Sequence, residues 1–186
     1  AAGDLTPRSA ERITIDGPAG PLELVLNVPA TPPVGIALVA HPHPLQGGTL
    51  DNKVVQTLAR TFFALGHAAI RFNFRGVGAS AGSFDEGEGE THDALAALAF
   101  GRLRWGEALP VVLAGFSFGS FVQTRVATMV AAQRLVLVGP AVGRFALETV
   151  PVDTIVIHGE EDDVVPLADV FAWARPQALP VTVFPG

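Results

Sequence analysis

The chain has 186 residues, of which 49% are hydrophobic and 16% are charged, and this balance predicts one globular domain with a sizeable core. Its formal net charge of −6 disfavours nucleic-acid binding, because a phosphate backbone is bound by clustered lysine and arginine side chains. The absence of cysteine excludes disulfides and thiolate nucleophiles, and no apolar run approaches the roughly 20 residues of a membrane span. The N-terminal residues show no basic-then-apolar signal pattern, so we expect a cytoplasmic protein without nucleic-acid or membrane partners.

The chain begins with a predicted hairpin. Residues 11–16 and 22–28 are predicted strands, and the turn GPAGP between them favours an antiparallel pair at a sheet edge. Residues 1–10 are expected to be flexible. Nearly continuous apolar runs follow, and this pattern is typical of strands that are buried on both faces of a parallel sheet. These predicted strands cover 34–40, 67–74, 109–115, 134–139, 153–159 and 180–184.

Helical segments alternate with these strands. Apolar residues at helical spacing predict helices over 51–65, 91–103, 118–132 and 167–174, with Gly66 capping the first helix and Thr91 beginning the second. The alternation predicts a single α/β domain over residues 1–186, with about eight strands and helices on both faces of the sheet. Because ligands bind at the carboxyl ends of parallel strands, the loops that follow the strands are expected to carry the function.

Two glycine-containing segments match binding motifs only in part. Gly76-x-Gly78-x-x-Ala81 resembles the dinucleotide fingerprint, but the GSFDEG that follows cannot open the helix that would hold a pyrophosphate. The acidic run DEGEGE, residues 85–90, lacks the spacing of a calcium loop and is predicted to be a solvated loop. We therefore expect no cofactor.

The segment GFSFG, residues 115–119, places Ser117 between a predicted buried strand and a predicted helix. A nucleophile elbow requires that context, because it is a sharp turn that exposes the serine hydroxyl above the sheet. Gly115 and Gly119 fit the turn, since side chains there would collide with the neighbouring strand and helix. The same turn directs the backbone N–H of Phe118 toward a developing oxyanion. A purely structural strand-to-helix turn is the alternative.

The loop HPHPLQGG, residues 41–48, is the candidate source of a second oxyanion donor. Pro42 and Pro44 lack a backbone N–H, so His43 and Leu45 remain, and His43 lies at the better distance from the strand end. Metal binding by His41 and His43 is the rival interpretation. Two histidines without a neighbouring carboxylate make a poor metal site, so we predict no metal.

A candidate acid lies in HGEEDDVVP, residues 158–166, after a predicted strand that follows Ser117 in the chain. A carboxylate there fits the order serine, acid, histidine. Composition does not choose among the four acidic residues of this segment, which are Glu160, Glu161, Asp162 and Asp163. A solvated acidic turn is the alternative for at least two of them.

With these segments in this order, the chain resembles the α/β-hydrolase superfamily, and within it the small, lidless serine hydrolases related to dienelactone hydrolase. The resemblance rests on HPHPLQGGTLDNKVV, RFNFRGVGAS, GFSFGS and HGEEDDVVP, and it spans nearly the whole chain. It implies an α/β-hydrolase fold with Arg75 bracing backbone carbonyls beside the site. The site residues that it implies are the nucleophile Ser117, the acid Asp162 with Asp163 as the fallback, and the oxyanion donors His43 and Phe118. Dienelactone hydrolase itself uses a cysteine at the position of Ser117, so its substrate is not implied.

The resemblance also predicts a triad histidine that these residues do not supply. All five histidines precede Asp162, whereas the catalytic histidine of the family follows the last strand. We expect it beyond Gly186, and we expect the final helix of the fold to be absent from this chain as well. His158 is the obvious substitute, but it belongs to a strand-end motif and is expected to be structural.

Residues 139–152 are too few to form a lid domain, so an open site is expected. We predict that its lining includes Leu45, Phe116, Phe118, Val142 and Phe145. These features favour a serine hydrolase of carboxylic esters that acts on a small molecule, and they leave the oligomeric state open. A peptidase, a thioesterase or an acyltransferase would use the same residues. A hydrolase-like binding domain without catalysis is the alternative from another class.

Overall fold

The computed structural model describes residues 10–186, and its centre is one sheet of eight strands. The strands are β1 (Ala10–Gly17), β2 (Gly20–Asn27), β3 (Ile36–Ala40), β4 (Ala68–Phe72), β5 (Val111–Phe116), β6 (Arg134–Val138), β7 (Ile155–Gly159) and β8 (Val181–Phe184). Their spatial order is β1-β2-β4-β3-β5-β6-β7-β8. The two strands of the hairpin pair antiparallel, β2 pairs antiparallel with β4, and every later pairing is parallel.

Helices cover both faces of the sheet. They are α1 (Lys53–Ala64), α2 (Glu88–Trp105), α3 (Phe118–Val126) and α4 (Leu167–Ala174). Val55 and Ala59 of α1 pack with alternate residues of the central strands in one hydrophobic cluster, whereas α2, α3 and α4 contribute to the larger cluster on the opposite face. The predicted fold is confirmed: a mostly parallel sheet of eight strands that begins with an antiparallel hairpin and carries helices on both faces.

The second helix begins earlier than predicted, so the expectation that DEGEGE is a solvated loop is wrong for residues 88–90. Gly87 caps α2 in the left-handed region (φ 99°), and Thr91 lies inside the helix. Glu90 is fully buried, and its carboxylate accepts hydrogen bonds from the N–H groups of Asp85 and Gly87 at 2.8 and 3.0 Å. Glu90 thus supplies the glutamate half of a capping box, and residues 88–90 form the first turn of α2.

The third helix is shorter than the predicted 118–132 and ends at Val126. The backbone N–H groups of Thr128 and Met129 bond three residues back, to Arg125 and Val126, so the chain tightens and leaves the α-helical path. Between β6 and β7 the described chain forms loops and bends rather than a helical lid. Within residues 10–186, every helix is too short or too polar to cross a bilayer.

Candidate active site

Ser117 occupies a strained turn between β5 and α3. Its backbone angles are φ 54° and ψ −117°, in a region that non-glycine residues rarely adopt. The turn is anchored because the Ser117 N–H donates to the carbonyl of Val138, at the end of the adjacent strand, at 3.0 Å. Backbone strain of this kind persists only where the surrounding structure enforces it, and it concentrates at functional sites. The geometry is that of a nucleophile elbow.

The two glycines of GFSFG explain how the chain turns so sharply. A Cβ on Gly115 would overlap with the backbone carbonyl of Gly119. A Cβ on Gly119 would overlap with the carbonyls of Ala40 and His41, where β3 ends. Both collisions are with backbone atoms, which cannot move aside as a flexible side chain can. The strand, the turn and the helix therefore pack at this distance only with glycine at both positions.

Ser120 stabilises the elbow through its side chain, a role that the sequence analysis did not predict. Its buried hydroxyl donates to the carbonyl of Ser117 and accepts from the N–H of Ala141 at 3.2 Å, in the loop after β6. One hydroxyl thus ties the backbone of Ser117 to the loop after β6. The signal available in the sequence was a second serine one helical turn after the first.

The two predicted oxyanion donors lie at the same end of the sheet. Phe118 is the first residue of α3, so its N–H precedes the intrahelical hydrogen bonds. The carbonyl of His43 accepts from the N–H groups of Gln46 and Gly48, both at 3.0 Å, and this folds the loop after β3 into a tight turn. Among the described residues, the N–H groups of His43 and Phe118 donate to no protein acceptor.

His41 braces two loops with its ring. Its Nδ1–H donates to the Pro42 carbonyl at 2.7 Å, and its Nε2 accepts from the Phe74 N–H at 3.1 Å, so the loops after β3 and β4 are joined. The ring is fully buried. Burial lowers the pKa of His41 from 6.5 to about 4, although the hydrogen bond to Pro42 acts in the opposite direction. Both ring nitrogens are therefore occupied and the ring is neutral at pH 7.

His43 is held by a different hydrogen bond. Its Nδ1 accepts from the N–H of Leu45 at 3.1 Å and caps the short 3-10 turn Pro44–Gln46. Burial lowers the pKa of His43, and the negative charge of Glu90 opposes this effect. A triad base needs a hydrogen on one ring nitrogen for the acid and a lone pair on the other for the serine. Because Nδ1 already accepts a hydrogen bond, His43 does not fit that role.

Asp162 is the half-buried member of the acidic segment, whereas Glu160, Glu161 and Asp163 are exposed. Its Oδ1 accepts from the N–H groups of Val164 and Val165, both at 2.8 Å. Its Oδ2 lies 3.7 Å from Nε2 of His158, and 28% of the side chain is exposed. One carboxylate oxygen is thus fixed by the loop and the other is open to a further partner.

His158 lies inside the sheet rather than beside Ser117. The residue is fully buried, and its Nε2–H donates to the Val165 carbonyl at 2.7 Å, while Nδ1 has no partner among the described residues. The side chain thereby ties the end of β7 to the loop that carries Asp162. This geometry supports the expected structural role.

A small cleft of about 40 Å³ opens at Ser117. Its lining residues are His43, Gln46, Ser117, Phe118, Ala141, Arg144, Phe145, Val164 and Val165. Of the five predicted lining residues, Phe118 and Phe145 line the cleft, with ring centroids 5.2 Å apart. Leu45 is 71% exposed, and Phe116 packs with the cluster on the α1 face. Val142 packs against the opposite cluster and pairs with Phe145 in an isolated β-bridge.

Arg75 braces the loop after β4, as the resemblance implied, and it does so mainly through a carboxylate. Its guanidinium contacts Asp93 at 3.0 and 3.1 Å, and its Nη2 also donates to the Gly89 carbonyl at 2.9 Å. The hydrogen bond to Asp93 raises the pKa of Arg75, although burial opposes it. Within residues 10–186, no group of three or more histidine, aspartate or glutamate side chains is placed to hold a metal ion.

Comparison with known proteins identifies the family and the fold of the chain. A family model described as serine aminopeptidase, S33 (Hydrolase_4) matches residues 45–147, which is more than half of the chain. A crystal structure of a lidless α/β serine hydrolase from Xanthomonas campestris is 37% identical, with a TM-score of 0.86 over 98% of this chain and 85% of that one. A serine hydrolase homologue from Coxiella burnetii is 38% identical, with a TM-score of 0.88 over 96% of this chain and 88% of that one.

A curated relative from Rickettsia prowazekii, an uncharacterized protein, is 34% identical over 175 residues, which are 86% of this chain and 70% of that protein. The family model matches the segment that contains the nucleophile elbow and its flanking strands. The structural relatives share the fold over nearly the whole chain and are described as serine hydrolases. The chain belongs to the serine aminopeptidase S33 (Hydrolase_4) family of the α/β-hydrolase superfamily.

Proposed function

We propose that the protein is a serine hydrolase that cleaves carboxylic esters through Ser117. The single observation that carries the proposal is the elbow itself, with φ 54° at a serine that lies between a buried strand and the first turn of a helix. Such a turn costs free energy, of the order of 1–3 kcal/mol, and it is retained where it positions a reactive group. Family membership supports a hydrolase, and the ester specificity is our inference.

In the proposed reaction, the Ser117 hydroxyl attacks the carbonyl carbon of the ester while a base removes its proton. The C–O double bond becomes an oxyanion, which the N–H groups of Phe118 and His43 would bind. Collapse of the intermediate expels the alcohol, which takes up the proton, and leaves an acyl group on Ser117. Water then attacks this acyl-enzyme by the same route and releases the acid.

We infer that the base is a histidine outside residues 1–186, oriented by Asp162. The hydrogen bonds of the nearby rings support this, because His41 uses both nitrogens for loop backbone and His43 accepts at Nδ1. His158 is buried with its Nε2 bonded to Val165. The free Oδ2 of Asp162 is the acceptor that the Nδ1–H of such a histidine requires.

The size of the cleft favours a short acyl group. The cleft is small, about 40 Å³, and the rings of Phe118 and Phe145 form part of its wall. The wall also contains Arg144, which is exposed. We therefore expect esters with acyl chains of a few carbons to be better substrates than long-chain esters.

Peptide hydrolysis is a second candidate, because the matching family model is described as a serine aminopeptidase. The same nucleophile and oxyanion donors would act on an amide. The amine is the poorer leaving group, so its nitrogen must be protonated before the C–N bond breaks. Aminoacyl p-nitroanilides measured beside p-nitrophenyl butyrate separate the two activities. Faster turnover of the anilides at equal concentration would replace our proposal with the peptidase.

The proposal is tested on the full-length protein with a fluorophosphonate probe and p-nitrophenyl butyrate. We expect labelling at Ser117 and ester hydrolysis, and we expect both to disappear in Ser117→Ala. Protein restricted to residues 1–186 should retain only the catalysis of the oxyanion hole and binding, roughly 10³–10⁴ over water. A folded full-length protein that neither labels nor hydrolyses esters would be a binding domain, and equal activity of the two lengths would place the base within residues 1–186.

A further inference from the structure

The imidazole of His43 has a defined tautomer. Its Nδ1 accepts a hydrogen bond from the Leu45 N–H at 3.1 Å, so in the neutral ring the hydrogen is on Nε2. This Nε2–H has no partner among the described residues. Within residues 10–186, the buried polar atoms without a hydrogen bond do not include this nitrogen, so Nε2 is accessible to solvent. The ring therefore offers one unused hydrogen-bond donor.

The imidazole ring of His43 is held in the wall of the cleft that contains Ser117. Aromatic rings surround it, with centroids at 4.8 Å for Phe84, 5.2 Å for Phe118 and 5.9 Å for Phe145. Together with the Leu45 hydrogen bond, these contacts leave the imidazole little freedom to turn. His43 and Ser117 line the same small cleft, so an acyl group bound to Ser117 lies beside the ring.

The charge of the ring and the other lining residues of the cleft indicate which kind of acceptor the Nε2–H of His43 would bond. Burial lowers the pKa of His43 even though Glu90 lies close enough to oppose this, so the ring is uncharged at neutral pH. An uncharged N–H donor forms a hydrogen bond with a neutral oxygen without requiring a charge on the acyl group. Ala141, Val164 and Val165 offer apolar side chains. A hydrocarbon chain beside Nε2 would exclude solvent and leave the N–H without a hydrogen bond, whereas an ether or hydroxyl oxygen would accept one from it.

We propose that the Nε2–H of His43 donates a hydrogen bond to an oxygen within the acyl group on Ser117, so that the preferred substrates are esters of short oxygen-bearing acids. This inference rests on the proposed esterase function. It assigns the side chain of His43 a role in specificity, separate from the oxyanion contact proposed for its backbone N–H.

The test compares two p-nitrophenyl esters of equal chain length, the methoxyacetate and the butyrate, which differ by an ether oxygen in place of one methylene. The full-length wild type is measured beside His43→Asn, whose amide oxygen can cap Leu45 as Nδ1 does but which has no group at the position of Nε2. A third protein, His43→Gln, places an amide N–H near that position. Labelling by the fluorophosphonate probe shows that the elbow is intact in each.

We expect the kcat/KM ratio of methoxyacetate to butyrate to fall about tenfold in His43→Asn, the effect of one neutral hydrogen bond, and to recover in part in His43→Gln. Because both esters are compared within each protein, the greater intrinsic reactivity of the methoxyacetate cancels. Hydrolysis of both esters with the same ratio in wild type and His43→Asn overturns the inference and leaves the esterase intact. A wild type that hydrolyses neither ester overturns the proposed function on which the inference rests.

Discussion

The buried ring of His41 makes the stability of the protein depend on pH in a predictable way. In the folded chain the pKa of His41 is about 4, against 6.5 for an ordinary histidine, because burial penalises the charged ring. As the pH falls below 6.5, the unfolded chain takes up the proton and the folded chain does not. The free energy of unfolding therefore decreases between pH 6.5 and pH 4, and this contribution stays constant at lower pH.

The magnitude follows from the difference between the two pKa values. A pKa difference of about 2.5 corresponds to about 3 kcal/mol at 1.36 kcal/mol for each pH unit. The matched variant is His41→Gln, whose amide oxygen can accept from the Phe74 N–H but which does not titrate. At pH 7 we expect this variant to be less stable by about 1–3 kcal/mol, since the Pro42 carbonyl loses its buried donor.

Urea unfolding of both proteins between pH 7 and pH 4 measures the effect. The carboxylates that titrate in this range are present in both proteins, so their contribution cancels in the difference between the two unfolding free energies. The difference in unfolding free energy between wild type and His41→Gln should shift by about 3 kcal/mol across the range, in favour of the variant at low pH. A difference that is the same at every pH would show that His41 is not held neutral by burial, and would refute the reasoning.

Two further substitutions test the packing around the site. Gly119→Ala places a Cβ against the carbonyl of Ala40. We expect this variant to lose fluorophosphonate labelling and its free energy of unfolding to fall by about 1–3 kcal/mol. Normal labelling would show that the elbow tolerates a side chain at this position. Arg75→Met leaves the buried Asp93 carboxylate without its cation and should cost about 3–5 kcal/mol in urea unfolding. Arg104→Gln, which breaks an exposed ion pair, is the control and should change stability little; equal losses in the two arginine variants would contradict the assignment of Asp93 as a buried partner.

The sheet could be predicted because strands buried on both faces leave a strong trace in the sequence. Nearly continuous apolar runs marked each parallel strand, and the GPAGP turn marked the hairpin. The elbow was equally visible, since its geometry demands glycine on both sides of the serine at fixed spacing. In each case the physical requirement involves residues that are close together in the chain.

The errors at helix ends arose where the deciding contacts are not periodic. The start of α2 is set by the left-handed backbone of Gly87 and by the carboxylate of Glu90, which turns back to bond the cap. Acidic and glycine residues in alternation suggested a solvated loop, because composition does not show that one glutamate is buried. A capping interaction that pairs two residues three apart was the signal that could have located this helix start.

The lining of the cleft was predicted less well, although the alternation of β5 contained part of the answer. Val112 and Ala114 face the cluster beside α1, and Phe116 follows them on the same face by the period of two. Phe116 therefore lies on the opposite side of the sheet from Phe121 and Val122 of α3, in spite of its position next to Ser117. Successive side chains of a strand point to opposite faces of the sheet, so a residue next to Ser117 in sequence need not line the cleft.

The histidines illustrate what sequence cannot show about chemistry. HPHP placed two imidazoles at the strand end beside Ser117, where a base, a metal ligand or a structural ring would all be plausible by residue type. Their hydrogen bonds separate these roles, because His41 gives one nitrogen to each of two loops and His43 accepts from its own loop. The ring of His43 holds the loop that carries one of the proposed oxyanion donors, and the His41 carbonyl packs against Gly119 of the elbow. The hydrogen bonds of these two rings therefore fit structural roles, and neither ring is bonded as a triad base would be.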